Sequence, residues 1–426
     1  MNNMSAPHQP KQHPMHHPIR TIEAHEFDAW ATMITTTYGQ DLREGSLRNA
    51  RETIDPGRTL AAYDAVGSTD IVGGASVYGR TLTVPGAFVP CAGITLVGVL
   101  PTHRRRGILT ALMRRQLTDL YESGEGEPLA ALNAAEATIY GRFGYGVASH
   151  RAVVDADQRA MALRPDTDFG TGTLRLLDAA AARPLLEKVF DAARQHTPGW
   201  VDRTEKYWNA RLHDADAPHI RDGATALRYV VHTDPAGEVT GYAVYRSHRT
   251  TARIVELVAT TRQSYATLWR YFSDLDAHDR LTYDAATDEP LTHLLVDPRA
   301  ASATVVDNLW VRLVDVGRAL TARRYATALD LVLDVEDDFC PWNSGRYRLL
   351  TDGADQASCT RTTAAADVRV PVSALASAYL GGPTLSALAA AGRIEELRPG
   401  AARAASRAFR GEREPFHPSG AAFPAF

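Results

Sequence analysis

The chain has 426 residues, too many for a single hydrophobic core, so about three domains are expected. Its 45% hydrophobic and 23% charged residues are those of an ordinary globular protein, and a formal charge of −4 argues against a general nucleic-acid binder. No run reaches the ~18 apolar residues of a membrane span, and the 3 scattered cysteines lack a C-x-x-C motif, so a cytoplasmic protein without disulfides is expected.

Residues 1–18 carry four histidines and four prolines with almost no apolar periodicity, the composition of a disordered leader rather than a signal peptide. A first domain is expected over 19–153. It has helical patterns at Ala24 to Tyr38 and Gly45 to Arg51, then strands at Thr59 to Asp64, Ile71 to Arg80 and Gly93 to Leu100. A helix from Gly107 to Tyr121, a short strand from Pro128 to Asn133 and a short helix from Glu136 to Phe143 complete it. A second domain over 154–306 repeats that outline, with helices at Leu185 to Ala193 and Arg203 to Leu212. Its hairpin joins Leu227 to His232 with Tyr242 to Arg246 across Asp234-Pro235-Ala236-Gly237. Strand Ile254 to Ala259 and helix Ser264 to Leu275 follow. A third domain over 307–426 has strands at Asn308 to Val316, Ala326 to Val335, Arg346 to Leu350 and Val368 to Pro371. Helices are expected at Val372 to Tyr379, Thr384 to Ala391 and Ala401 to Phe409. The tail from Pro415 to Phe426 is rich in Pro and Gly and would ordinarily fray, but its three aromatics suggest docking.

The stretch Val97-Gly98-Val99-Leu100-Pro101-Thr102-His103-Arg104-Arg105-Arg106-Gly107-Ile108-Leu109 carries the most chemistry. An apolar strand stops at Pro101, three arginines lead into Gly107, and a correctly phased helix starts at once. Unpaired helix N-terminal amides, the positive end of the helix dipole and mobile cations thus meet at one point, which suits a pyrophosphate. A solvated basic turn is the plainer reading, and the flanking strand and helix count against it. There is no Gly-Lys-Ser/Thr Walker loop and no G-x-G-x-x-G; the form is R-x-x-G-x/L, that of an acyl-CoA site. After Ile254 to Ala259, by contrast, Thr260-Thr261-Arg262-Gln263 has one basic residue and no glycine. The second copy has lost the anion seat.

These blocks, with Ala131 to Gly146 (ALNAAEATIYGRFGYG), ELVATT, LWRYFSDLD, DNLWVRLVDVGRAL and the terminal phenylalanine, resemble the Eis (enhanced intracellular survival) family of GCN5-related N-acetyltransferases. The resemblance implies a mixed α/β (α+β) chain: two tandem GNAT-like mixed-sheet domains, the second degenerate, and a C-terminal sterol-carrier-protein-like domain. It further implies a homohexamer that uses acetyl-CoA, needs no metal, and acetylates several amines of an aminoglycoside.

In that reading Val97, Gly98 and Val99 hold pantetheine as an added strand, and the amides of Arg105, Arg106, Gly107, Ile108, Leu109 and Thr110 hold the pyrophosphate. Ala135 and Glu136 also touch coenzyme A, and Tyr140 matches the family's catalytic tyrosine. A phenol of pKa ~10 can protonate a leaving thiolate after a tetrahedral intermediate. The resemblance assigns the general base to the α-carboxylate of Phe426; for the family's acidic substrate contact Asp41 lies close, and Gln40 aligns as well. Phe143 and Tyr145 read as packing aromatics. Acetylation of lysine or another small amine is the near alternative, and a vestigial enzyme that binds lipid is the distant one. The intact Arg105, Arg106, Gly107 and Tyr140 speak against the latter.

Overall fold

The computed structural model describes residues 17–124, 126–214, 221–354 and 356–418. Its contacts divide the chain into two compact units. One runs to Tyr78 and adds Ile94–Asp119; the other holds Gly79–Gly93 and the chain from Leu120.

In the first unit β1 (Ile19–Thr21) pairs antiparallel with β2 (Thr59–Tyr63), and β2 with the start of β3 (Ile71–Val84), Thr59 facing Ser76. Helix α1 (Phe27–Thr37) lies against β3 where Gly74 leaves room: a Cβ there would sit 2.3 Å from the Trp30 ring nitrogen. That nitrogen donates to Leu60 O at 3.2 Å. Helix α2 (Glu44–Thr53) follows. After β4 (Ala87–Val99), helix α3 (Ile108–Glu122) buries Ile108 and Leu112 against Leu60, Ala62 and Val72, the face its apolar spacing predicts. His17 and Pro18, assigned by sequence to the leader, are held in place: His17 Nδ1 lies 3.1 Å from Tyr63 O, and Tyr63 N donates to Pro18 O.

In the second unit β4 runs parallel to β5 (Leu129–Leu132) over Cys91–Gly93. The short helix α4 (Ala137–Tyr140) and β6 (Gly146–Val147) come next. Strand β14 (Trp310–Leu313) then pairs with both β5 and β6. Sequence analysis gives this strand to the third domain. Its apolar run was legible, but its partner, some 180 residues earlier, cannot be read from a local pattern.

A seven-stranded sheet follows in the order β13-β7-β12-β11-β10-β9-β8. Its strands are β7 (His150–Asp157), β8 (Thr173–Leu177), β9 (Arg228–Thr233), β10 (Val239–His248), β11 (Thr251–Ala259), β12 (Arg280–Ala285) and β13 (Ala301–Asp307). Helices α5 (Ala179–Arg194) and α6 (Glu205–Arg211) share a core with β9 and β10, and helix Arg262–Ser273 packs through Leu268, Trp269 and Phe272. The expected hairpin turn is present, with Gly237 at φ 88°. The last sheet has the order β17 (Ala357–Arg361), β16 (Gly345–Asp352), β15 (Ala328–Glu336), β18 (Val368–Pro371) and β19 (Glu395–Glu396). The architecture is the mixed α/β class expected, with helices on mixed sheets.

Candidate active site

The turn read from sequence as an anion seat lies within the first unit. Leu96, in the left-handed region at φ 53°, kinks β4, so that Val97, Gly98 and Val99 emerge half-buried beyond the part of the strand paired with β5. Arg105 (φ 63°) and Gly107 (φ 84°) are also left-handed and turn the main chain sharply before Ile108 begins the helix. Nothing lies within 4 Å of a Cβ built on Gly107, so its φ, not crowding, calls for glycine. Ala111 N donates to Gly107 O, whereas among the described residues no acceptor takes the backbone N–H groups of Arg106 through Thr110. Arg105 and Arg106 are exposed and have no carboxylate partner among those residues. Left-handed residues followed by open helix amides present a run of donors of the kind that suits an anion. Of the residues predicted from sequence, Val97 to Val99 and Arg105 to Thr110 lie in this unit.

Helix α1 shapes the neighbouring strand. Tyr38 Oη donates to Val97 O at 3.1 Å, and a Cβ on Gly98 would lie 2.3 Å from Thr37 Oγ1. Gly98 therefore lets the helix end approach the strand. Sequence analysis missed Thr37 and Tyr38, which looked like the last turn of a helix; no local signal links them to a strand about sixty residues on. Asp41 is exposed in the loop just after Tyr38.

Ala135, Glu136 and Tyr140 belong to the second unit, Ala135 and Glu136 exposed at the start of α4 and Tyr140 half-buried at its end. Tyr140 meets Tyr145 edge-on with ring centroids 5.9 Å apart. Phe143 and Tyr145 are each 1% exposed and are packing residues, and burial pushes the Tyr145 hydroxyl well above the usual tyrosine range. Gly144 (φ 84°) leaves 2.5 Å between a built Cβ and Arg312 Nη1; at Gly146 the gap to Ser373 O is 2.0 Å. The glycines of this block let it pack closely.

The tail is docked as far as the described residues go. Pro415 to Pro418 are buried. Phe416 N donates to Pro198 O at 2.9 Å, and His417 Nδ1 lies 2.9 Å from Gly199 O. Asn308 grips the His417 backbone from both sides, accepting from its N–H at 2.7 Å and donating to its C=O at 3.0 Å. Burial pushes the His417 ring down to about 3, so it stays neutral at physiological pH. Gly199 (φ 96°) admits the strap, since its Cβ would lie 2.6 Å from Phe416 O. Phe426 lies outside the described residues.

The second copy differs at the matching turn. Thr261 Oγ1 accepts from Ser264 N at 3.1 Å, while Thr261 N donates to Ser264 Oγ at 3.3 Å, a capping box that closes the helix N-terminus. β11 pairs with β12 only as far as Ile254 facing Tyr283, and beyond that point side chains fill the space. Arg211 donates to Val255 O and Tyr283 Oη to Leu257 O. Arg203 holds Glu256 through two hydrogen bonds of 3.0 and 2.6 Å, and Tyr242 adds a third. Burial would raise the Glu256 carboxyl, but Arg203 with Arg211 and Tyr242 holds it down to about 2.

Residues 18–148 match a family model described as an acetyltransferase (GNAT) domain, residues 199–313 a second model of that description, and residues 316–418 a sterol carrier protein domain. The chain is 39% identical over 415 residues to an uncharacterized N-acetyltransferase of Streptomyces avermitilis, covering 94% of this chain and 99% of that protein. It is 36% identical over 380 residues to the N-acetyltransferase Eis of Mycobacterium tuberculosis, covering 86% of this chain and 85% of that one. Among solved structures, Eis1 from Mycobacterium abscessus superimposes with a TM-score of 0.80 at 36% identity, over 94% of this chain and 99% of that one.

Proposed function

This chain belongs to the Eis family of GCN5-related N-acetyltransferases and is an N-acetyltransferase, and from that premise we propose that it transfers acetyl from acetyl-CoA to amines of aminoglycoside-type acceptors, at several positions. The observation that carries the cofactor assignment is the open run of amides from Arg106 to Thr110 behind a left-handed turn. Two uncompensated arginines flank it, as a diphosphate requires. Val97, Gly98 and Val99 take the pantetheine arm, and Ala135 and Glu136 contribute further contacts. No group of three potential metal ligands occurs among the described residues.

An acceptor amine of pKa ~10.4 is neutral in only roughly one molecule in 2,500 at pH 7, so a base must take its proton. The α-carboxylate of Phe426 fills that role, directly or through one water. Tyr140 gives a proton to the departing thiolate. An N–H of the Val97–Val99 segment stabilises the oxyanion. Asp41, exposed in its loop, adds negative charge for a polycationic acceptor. The assembly is a cytoplasmic homohexamer, as the resemblance implies, and no helix among the described residues is long and apolar enough to cross a membrane.

The test is thiol release from acetyl-CoA with a panel of aminoglycosides, lysine peptides and polyamines. Highest kcat/KM with aminoglycosides, and more than one acetyl per molecule by mass, is expected. Preference for lysine peptides would contradict the acceptor assignment. A peptide extension after Phe426 should abolish most activity; full activity would remove its carboxylate as base.

A further inference from the structure

Strand β13 forms one edge of the seven-stranded sheet and pairs with β7 along all seven residues, from Ala301 facing Ala156 to Asp307 facing His150. On its other side no strand pairs with it among the described residues. Ser302 through Val305 are exposed, Val305 to 59%. Ala303 and Val305 lie opposite Val154 and Ala152, on the face where β7 buries Ala152, Val154 and Ala156. The apolar face of the sheet therefore extends to its rim, while its covering layer ends at Ala301.

Edge strands are normally guarded by charge. β1 carries Arg20, β8 carries Arg175 and β17 carries Arg361. The strands just inside β13 carry the ion pairs Arg280–Asp155 and Arg151–Asp284. β13 itself reads Ser-Ala-Thr-Val-Val between Ala301 and Asp307, five uncharged residues with no proline. Such an edge is open to another strand of the same kind.

We propose that β13 pairs antiparallel with β13 of a second copy of this chain about a two-fold axis at Thr304, joining the two sheets edge to edge. Thr304 is the midpoint of the strand, so this register is the one that pairs all seven residues. Directly opposed residues share a face, so Val305 then covers the partner's Ala303, and Ala303 is covered in turn. That supplies the apolar cover missing at the rim. At each end Asp307, which accepts from Trp310 Nε1, faces the partner's Ala301, and the exposed turn just before it carries the partner's Asp297 and the partner's Arg299, so the apolar ladder ends in charge of both signs. A two-fold contact of this kind is self-complementary. It rests on the strand alone, not on the catalytic reading or on the number of subunits.

The test uses the full chain. Cys91, Cys340 and Cys359 are free and buried, so a cysteine on the strand reports its own environment. Opposed Cα atoms in an antiparallel pair are about 4.5–5.5 Å apart, within disulfide range. Mild oxidation should convert most of Thr304→Cys to a disulfide-linked dimer, while Leu176→Cys on the exposed β8 edge stays largely monomeric on a non-reducing gel. Val305→Lys should at least halve the mass read by light scattering and leave thermal unfolding and acetyl-CoA turnover per folded chain measurable. The proposal is overturned if the wild-type chain sediments as a monomer at tens of micromolar. It is equally overturned if Val305→Lys leaves the assembly intact, or if Thr304→Cys cross-links no better than Leu176→Cys.

Discussion

Two helix starts in this molecule, one in each GNAT-type domain, differ in how their amides are satisfied. At α3 the turn through Arg105 and Gly107 is left-handed, the following amides are unclaimed, and the arginines point to no carboxylate among the described residues. At helix Arg262–Ser273 the amide of Ser264 is claimed by Thr261, Arg262 pairs with Asp168, and two further arginines, the buried Arg203 and the half-buried Arg211, hold Glu256. The difference teaches that a helix N-terminus binds an anion only when its own side chains leave it unsatisfied. A capping box stabilises the helix and removes the site in one step.

The largest effect is expected at Tyr140. Tyr140→Phe keeps the ring packed on Tyr145 but removes the proton, so kcat should fall about 10²–10⁴-fold with the KM for acetyl-CoA nearly unchanged. Steady-state kinetics on both substrates checks this; unaltered kcat would end its role as acid. On the structural side, Glu256→Ala strands Arg203 and Arg211 without their counter-charge. A loss of about 3–5 kcal/mol in denaturant unfolding is expected, with no change in acetyl-CoA KM for the protein that stays folded.

A pH experiment sharpens the contrast. Glu289 accepts from Tyr265 Oη at 2.6 Å, and burial raises its carboxyl to about 7 despite that bond and nearby Arg413. The native state thus holds a proton that the unfolded chain releases near its ordinary value. Stability should accordingly fall as pH rises from ~4.5 to ~7, the opposite slope to the one Glu256 imposes in acid. Glu289→Gln should remove that fall and stabilise the protein at pH 8 by roughly 1–3 kcal/mol, read from melting curves across pH. The smallest effect belongs to the cap: Thr261→Ala should cost about 1 kcal/mol and create no second acetyl-CoA site, because Arg211 and Glu256 still fill the split between β11 and β12.

Much of this was legible in the chain, for identifiable reasons. The β4–α3 seat combines two periodicities with a glycine between them, all within about fifteen residues, so local pattern sufficed. Strand β13 went unseen because its residues are exposed on both faces and show no alternation. β7 and β12 were hidden by their cross-strand ion pairs, and β14 was legible as a strand while its partners β5 and β6 were not. At the site, Tyr38 was missed because its contact with Val97 is a long-range fact. His417 and Asn308 were missed for the same reason, being 109 residues apart.

In the proposed reading one of the two copies seats the diphosphate of acetyl-CoA and the other does not. Calorimetric titration with acetyl-CoA tests it most directly. One site per chain is predicted, its affinity falling about tenfold or more when Arg105→Ala is combined with Arg106→Ala. Two sites per chain, or an affinity indifferent to that double substitution, would contradict it.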